Sequence, residues 1–147
     1  MAFTTDLLSG LAALLAANGL GVYNPSGVYL PTDTGIIIGT VPQDPDSVIC
    51  LTPYTLTDAN PDPYQADQQV SVQIWLRGAS GDPRPVMDLE NAIYGTLHGL
   101  AGVTFGSAYM LVAWRHNEAS LGQDSRSRSQ RVANYYLRVH QPTAFTQ

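Results

Sequence analysis

Three arginines lie close together in the segment QDSRSRSQRVANYYLRV, residues 123–139. Arg126, Arg128 and Arg131 precede a run of apolar and aromatic residues. A guanidinium makes planar, bidentate contacts with phosphate and carboxylate groups, so such a cluster is suited to nucleic acid or to the acidic surface of a protein subunit. A solvated loop that leads into a strand has the same composition. The cluster alone leaves all three interpretations open.

The charges of the chain are segregated along the sequence. Residues 1–69 carry seven aspartates and no arginine, whereas residues 70–147 carry all seven arginines and five acids, so the halves hold −7 and +2 and the chain −5. Tight DNA binding requires several phosphates to be neutralised at once, which disfavours an acidic chain. The split favours contacts between aspartates and arginines, either within one chain or between copies. All basic residues are arginine, the cation most common at interfaces, although a compositional bias of the genome explains this equally well.

Residue patterns typical of catalysis or cofactor binding do not occur in the sequence. It has no HExxH, GxGxxG, P-loop or GxSxG motif, and its histidines are scattered. The single cysteine, Cys50, excludes an intrachain disulfide and a cysteine-based zinc site. Asp88 and Glu90 lie two apart on a predicted helix and look like solvated charges. We expect no enzyme activity, no cofactor and no metal.

These residues must be positioned by a single domain over residues 1–147. Leucines at helical spacing predict a first helix that ends near Asn18–Gly19, and Asp82 and Pro83 mark the start of a second helix. Between them lie an irregular, Gly- and Pro-rich hairpin region (20–46) and a long polar loop (55–69). Strands are predicted at 46–54, 70–78, 108–116 and 131–140. The expected fold is α+β: one mostly antiparallel sheet of about four core strands plus the small hairpin region, packed against two helices.

Alternation in the last strand separates a core face from an outer face. Ala133, Tyr135, Leu137 and Val139 are expected to point into the core. The loop 55–69 is longer than most loops in compact domains. Such a loop either has an interaction role or is an ordinary solvent-exposed loop, and both alternatives remain open. Its acidic residues are Asp58, Asp62 and Asp67.

The apolar N-terminal run LLSGLAALLAANGL is superficially similar to the core of a signal peptide. The residues before it carry an acid and no base, and a glycine interrupts the run, which is too short to span a bilayer. We therefore expect a soluble protein, made in the cytoplasm, with no membrane partner.

Four segments together resemble a known family. They are VPQDPDSVICLTPY, SVQIWLRG, PVMDLENAIYGTLHGL and EASLGQDSRSRSQRVANYYLRV. They are similar to minor capsid or tail terminator proteins of long-tailed bacteriophages, which share a strand ending in arginine, a helix, and a glycine-entered return into the last strand. The resemblance covers residues 40–140, and patterning and glycine placement carry it rather than catalytic signatures.

The resemblance implies a virion protein at the head–tail junction. Such proteins form a ring, commonly of about six copies, that caps the tail tube and joins it to the head connector or stopper protein while genomic DNA passes through the lumen. Candidate subunit-interface residues are then Arg126, Arg128, Arg131, Asp44 and Asp46. Asp58, Asp62 and Asp67 become candidates for lining the lumen or contacting the tube. Reversing the three arginine charges is expected to abolish the ring.

Two alternatives remain open. A head-completion or stopper protein, or another neck connector, is also small and ring-forming. A single-strand nucleic-acid-binding module would stack bases on Trp75, Tyr135 and Tyr136. Consecutive strand residues point to opposite faces, which weakens this second alternative because Tyr135 and Tyr136 cannot share one surface.

Overall fold

The computed structural model describes residues 3–54 and 62–146. In chain order its elements are α1 (Phe3–Ala17), β1 (Val22–Tyr23), β2 (Thr34–Ile38), β3 (Ser47–Tyr54), β4 (Asp67–Ser80), α2 (Arg84–Leu97), β5 (Ala101–Phe105), β6 (Ala108–Gln123) and β7 (Arg128–His140). All seven strands form one sheet in the order β1-β2-β3-β4-β7-β6-β5. The sheet curls into a half-barrel around α1, which contacts strands from both ends of the sheet.

The expectation of a mostly antiparallel sheet with about four core strands is wrong. The sheet has seven strands and is mixed, because β1, β2 and β3 pair in parallel while the other neighbours are antiparallel. The pieces expected to form a hairpin within residues 20–46 are therefore parallel strands. Pairing with β3, from Thr34↔Ser47 to Ile38↔Leu51, brings β2 into the sheet, and β1 pairs in turn with β2. The α+β class itself is correct.

The other boundaries agree with the predicted elements to different degrees. Helix α2 ends at Leu97, and β5, which begins at Ala101, was not among the predicted strands. β6 continues to Gln123, beyond its predicted end at 116. β4 begins at Asp67, inside the range predicted as a long loop. Residues 55–61 of that loop, including Asp58, lie outside the described residues.

Helix α1 fills the concave side of the half-barrel with leucines. Leu7, Leu8, Leu11 and Leu15 are all buried, at the three- and four-residue spacing that places them on one helix face. Gly10 lets the helix approach β5 closely, since a Cβ there would lie 2.2 Å from Cγ of Phe105. Helix and strand can therefore pack at this distance only with glycine at position 10.

The β5–β6 hairpin is attached to the first turn of α1. Its two-residue connection has Gly106 at the first position, with a φ of 57° that favours glycine. The Ser107 amide donates to Oδ2 of Asp6 at 2.8 Å. Hydrogen bonds from the Ser107 hydroxyl and amide lower the pKa of Asp6. Asp6 therefore joins two elements that are distant in sequence.

Helix α2 packs on the same core as α1. It buries Val86, Ile93 and Leu97 and contacts β4, β6 and β7. Asp82, the predicted N-cap, accepts a hydrogen bond from the Arg84 amide at 3.0 Å, although Pro83 occupies the cap position itself. Neither helix is long and apolar enough to cross a membrane in the part of the chain that the structure describes.

The two longest neighbouring pairs, β4–β7 and β6–β7, form the centre of the half-barrel. Ala133, Tyr135, Leu137 and Val139 are each at most 1% exposed, which confirms the predicted core face of the last strand. The opposite, outer face of this region carries Asn134, Tyr136 and Arg138.

Candidate functional site: assembly surfaces

The segment 42–46, which leads into β3, is held by a buried arginine on β4. Arg77 is 4% exposed. Its Nε donates to the carbonyl oxygen of Asp46 at 2.8 Å, and its Nη2 donates to the carbonyl oxygens of Pro42 and Pro45 at 2.9 and 2.8 Å. Burial lowers the pKa of Arg77, the nearby Arg128 lowers it further, and surrounding aspartates partly offset both effects. The guanidinium thus organises a loop through its backbone.

Arg128, from the arginine run, binds the same segment from the other side. Its Nη1 donates to the Gln43 carbonyl oxygen at 2.8 Å and to Oδ1 of Asp46 at 3.1 Å. Its Nε donates to Oδ2 of Asp124 at 2.8 Å. The side chain is only 4% exposed. We call Arg77, Arg128 and residues 42–46 the loop network.

Asp124 shapes the turn that presents Arg128. Its Oδ1 accepts hydrogen bonds from the amides of Arg126 and Arg128, both at 2.9 Å. Partial burial acts to raise the pKa of Asp124, but these amides and the Arg128 guanidinium together hold it below its ordinary value. Ser127 closes the turn with a φ of 59°, an unusual conformation for a residue other than glycine.

Arg131 belongs to a second cluster, the helix network, made of Glu90, Arg115, Glu118 and Arg131. Its Nε donates to Oε2 of Glu90 on α2 at 2.8 Å, and its Nη2 contacts Glu118 on β6. Arg115 lies 3.9 Å from the Glu90 carboxylate and stacks over the Tyr94 ring at 4.3 Å. Glu90 is 3% exposed, so its interpretation as a solvated charge is wrong.

The two carboxyl groups of the helix network have pKa values shifted in opposite directions. Burial raises the pKa of Glu90 despite the hydrogen bond from Arg131. Hydrogen bonds with Glu90 and Arg131 lower the pKa of Glu118. The same contacts raise the pKa of Arg131. Glu118 therefore keeps its charge more readily than Glu90 as the pH falls.

The structure brings four of the five candidate interface residues together in two pairs within one chain. Arg128 meets Asp46, and Arg126 lies 3.7 Å from Asp44 in a more exposed pair, with side chains 54% and 78% accessible. Arg131 pairs with glutamates instead. An interface role for the five stays a prediction, but burial makes Arg128 and Arg131 poor positions at which to test it.

Two of the three acidic candidates for lining the lumen are described. Asp62 accepts a hydrogen bond from the Tyr64 amide at 3.0 Å. Asp67 pairs with Nδ1 of His140 at 2.7 Å, where β4 begins and β7 ends. Contact of these residues with a lumen or a tube stays a prediction.

The aromatic residues do not form a single stacking platform. Tyr135 is 1% exposed within the core, and no hydrogen-bond partner for its hydroxyl occurs among the described residues. Tyr136 lies on the outer face, where it stacks on His116 and meets Trp114 edge-on. Burial of Tyr135 removes one of the three rings that a nucleic-acid-binding module would use.

Exposed apolar side chains lie at opposite ends of the sheet. Val22, Val28 and Leu30 are 43%, 70% and 64% exposed, and we call them the β1-edge surface. They flank a groove of about 430 Å³ between α1, the β1–β2 region and the segment that follows Tyr23. At the other end, residues 116–123 of β6 are all exposed and include Leu121. We call them the β6-edge surface. Sequence patterning missed both surfaces, although the uncharged segment GVYL was a signal for the first.

No group of three or more histidine, cysteine, aspartate or glutamate side chains that could hold a metal ion occurs within residues 3–54 and 62–146. The geometry consists instead of charges paired inside the subunit, an exposed apolar surface at the β1 end of the sheet and an exposed, mostly polar strand edge on β6. This arrangement is typical of a structural protein that assembles with others.

Comparison with known proteins identifies the class. The family model for bacteriophage tail terminator proteins matches residues 14–141, so the chain belongs to the bacteriophage tail terminator family. It is accordingly a structural phage protein of the virion, located at the tail end or head–tail junction. None of the curated proteins compared with the chain matches it.

A solved structure shares the fold. A chain of the virion of a native gene transfer agent particle superposes with a TM-score of 0.67 at 12% identity, over 95% of this chain and 98% of that one. This likeness extends to the N-terminal part of the chain, which the family match does not include.

Proposed function

We propose that the protein is a non-enzymatic tail terminator that closes into a ring, caps the tail tube and joins it to the head connector. The observation that carries the proposal is the match to the tail terminator family over residues 14–141. The ring is expected to contain about six copies, and genomic DNA is expected to pass through its lumen without tight binding.

Two features of the subunit support ring formation. A closed cyclic ring uses heterologous contacts, in which two different surfaces of each subunit meet. The β1-edge and β6-edge surfaces lie at opposite ends of the sheet order and differ from each other. A subunit with such surfaces can contact one neighbour at each end.

The acidic character of the chain supports a conduit for DNA. The net charge is −5, and the buried guanidiniums of the loop network are already bound to carbonyl and carboxylate oxygens. This part of the subunit therefore has few basic groups that could bind DNA phosphates. Weak contact with phosphates suits a channel through which DNA must move.

Arg126 and Asp44 are the two interface candidates that a neighbouring subunit can reach most easily, since both side chains are more than half exposed. We propose that this pair rearranges at the subunit interface, so that Arg126 of one copy faces acids of the next. The buried Arg128 and Arg131 act first within their own subunit.

A tube-capping assay tests the proposed function. Purified protein is added to polymerising tail tube protein, and tube lengths and ends are measured in negative-stain images. A terminator is expected to shorten tubes and to appear as a disc at one end. A protein that leaves tube length unchanged but binds the portal–adaptor assembly is a stopper, and that result contradicts the proposal.

A further inference from the structure

We propose that neighbouring subunits of the ring are joined by an added strand. Residues 27–30 of one copy (GVYL) would pair with residues 117–120 of β6 in the next copy. The inference rests on the proposed ring and identifies the contact that closes it. Strand addition to an exposed sheet edge provides main-chain hydrogen bonds that need no charged side chains.

The accepting edge is the outer side of the second half of β6. β5 pairs only with residues 108–112, whereas β7 pairs with the other side of β6 as far as Gln123. In the described part of the chain no strand covers the outer side of residues 116–123. Such an edge presents a row of backbone donors and acceptors to any extended segment.

Part of this edge has the regular geometry that strand addition needs. The register of β6 with β7 shifts between Arg115 and Asn117 and again between Ser120 and Gly122. Between the two shifts, Asn117 to Ser120 pair with consecutive residues of β7. This stretch matches the length of the segment GVYL.

The donating segment lies outside the helices and strands and is anchored at both ends. The Gly27 amide donates to the Asn24 carbonyl oxygen at 2.9 Å, and the Asp33 amide donates to the Leu30 carbonyl oxygen at 3.0 Å. The Val28 carbonyl oxygen accepts a hydrogen bond from Asn24 at 2.8 Å, and the Leu30 amide donates to Asp33 at 2.7 Å. The Tyr29 hydroxyl donates to the Ile36 carbonyl oxygen at 2.6 Å. Between these anchors, no partner for the backbone N–H and C=O of Tyr29 occurs among the described residues, so these two groups can pair with a strand edge of a neighbour.

The two surfaces are compatible in charge and in polarity. Residues 25–31 carry no charge, and Glu118, the one charged residue among 117–123, already contacts Arg131 of its own chain. Burying the contact therefore leaves no new unpaired charge. The exposed Val28 and Leu30 side chains would lie beside Leu121 and Met87, which are 49% and 45% exposed.

Cysteine cross-linking tests the contact directly. The double variant Val28→Cys/Ser120→Cys, treated with a short bismaleimide, is expected to give covalent multimers up to the full ring on a denaturing gel. The native Cys50 is 2% exposed and contributes little background. Each single variant and the pair Val28→Cys/Ala79→Cys, which places a cysteine on an exposed position at the end of β4, serve as controls and should stay monomeric.

The outcomes separate this inference from the proposed function. Rings that form in negative-stain images while the pair cross-links no better than the controls overturn the added strand and leave the terminator role intact. Protein that forms neither rings nor cross-links overturns both.

A second set of variants tests the same contact without cross-linking. Val28→Asp and Leu30→Asp alter side chains at least 64% exposed, so the circular dichroism spectrum should not change. The concentration needed for half-maximal ring formation should rise at least about tenfold, because a charge would be buried without a partner. Phe145→Asp, at a side chain 86% exposed, is the matched control and should form rings normally. Aspartate variants that assemble like the control contradict the inference.

Discussion

The arginines of the loop network are buried in this subunit, whereas the apolar side chains of the β1-edge surface are exposed to solvent. The arginine run attracts attention in the sequence, yet Arg128 and Arg131 are bound by oxygens of their own chain. The uncharged segment GVYL is unremarkable in sequence, yet Val28 and Leu30 are among the most exposed large apolar residues. The comparison indicates that the clustered charges position elements within the subunit, whereas the apolar side chains of the β1-edge surface stay exposed.

The largest effect is expected from removing the guanidinium of the loop network. Arg77→Met leaves the carbonyl oxygens of Pro42, Pro45 and Asp46 without this donor in a buried site, which should lower the free energy of unfolding by about 3 kcal/mol. Urea denaturation monitored by tryptophan fluorescence measures the change. Arg84→Met is the control, because that side chain is 82% exposed and should cost less than about 1 kcal/mol. If the two variants lowered the free energy of unfolding equally, burial would not distinguish Arg77 from the exposed Arg84.

The two glutamates of the helix network should make stability depend on pH in opposite directions. The raised pKa of Glu90 means that the folded state binds a proton more readily than the unfolded state, so its contribution is lost as the pH rises through the folded pKa. The lowered pKa of Glu118 means that its contribution is lost as the pH falls through its own folded pKa.

Matched variants measure these contributions. Between pH 7 and about 4.3, the ordinary pKa of glutamate, the wild type should gain stability relative to Glu90→Gln on acidification. Below about pH 4.3 it should lose stability relative to Glu118→Gln. Thermal denaturation at a series of pH values provides the curves. Parallel curves for wild type and Glu90→Gln would show that the buried carboxylate is not titrated as described.

A buried polar group without a partner should behave differently from the buried arginines. Burial raises the pKa of Tyr135, whose hydroxyl finds no acceptor among the described residues. Tyr135→Phe removes that hydroxyl and should leave the free energy of unfolding unchanged or raise it by up to about 1 kcal/mol. Chemical denaturation is again the measurement, with Tyr136→Phe on the outer face as the comparison. A loss of more than about 1 kcal/mol would reveal a hydrogen bond to this hydroxyl.

The smallest effect on folding is expected at Arg126. Its pair with Asp44 is exposed, so Arg126→Glu should change stability by less than about 0.5 kcal/mol. The same variant should reduce ring formation if Arg126 faces acids of the next copy, as proposed. Reversing Arg126, Arg128 and Arg131 together would disrupt both internal networks and so test folding rather than assembly. Size-exclusion chromatography of the single variant gives the cleaner answer, and unchanged rings would remove Arg126 from the interface.

Local patterns in the sequence located both helices and the long strands, although β4 and β6 extend beyond their predicted ranges, β6 as far as Gln123. The alternation Ala133, Tyr135, Leu137, Val139 correctly identified a core face, because strand periodicity is a property of neighbouring residues. The leucine stripe identified α1 and its buried side for the same reason. The family resemblance also came from such local segments, and the family match confirms it.

The features that the sequence did not predict depend on contacts between residues that are distant in the chain. β2 becomes a strand through parallel pairing with β3, and β1 through parallel pairing with β2, and nothing in their short Gly-flanked segments specifies that direction. The burial of Arg77 depends on carbonyl oxygens more than thirty residues away. Glu90 looked solvated because its partners Arg115 and Arg131 lie on strands that follow it in the chain.

Negative-stain electron microscopy of the purified protein tests directly whether the subunits close into a ring. Closed rings of about six copies with a central opening are expected. Val28→Asp should raise the concentration at which the rings form at least about tenfold, while the Phe145→Asp control should form them as the wild type does. Monomers at every concentration, or open filaments in place of rings, would contradict the proposed ring.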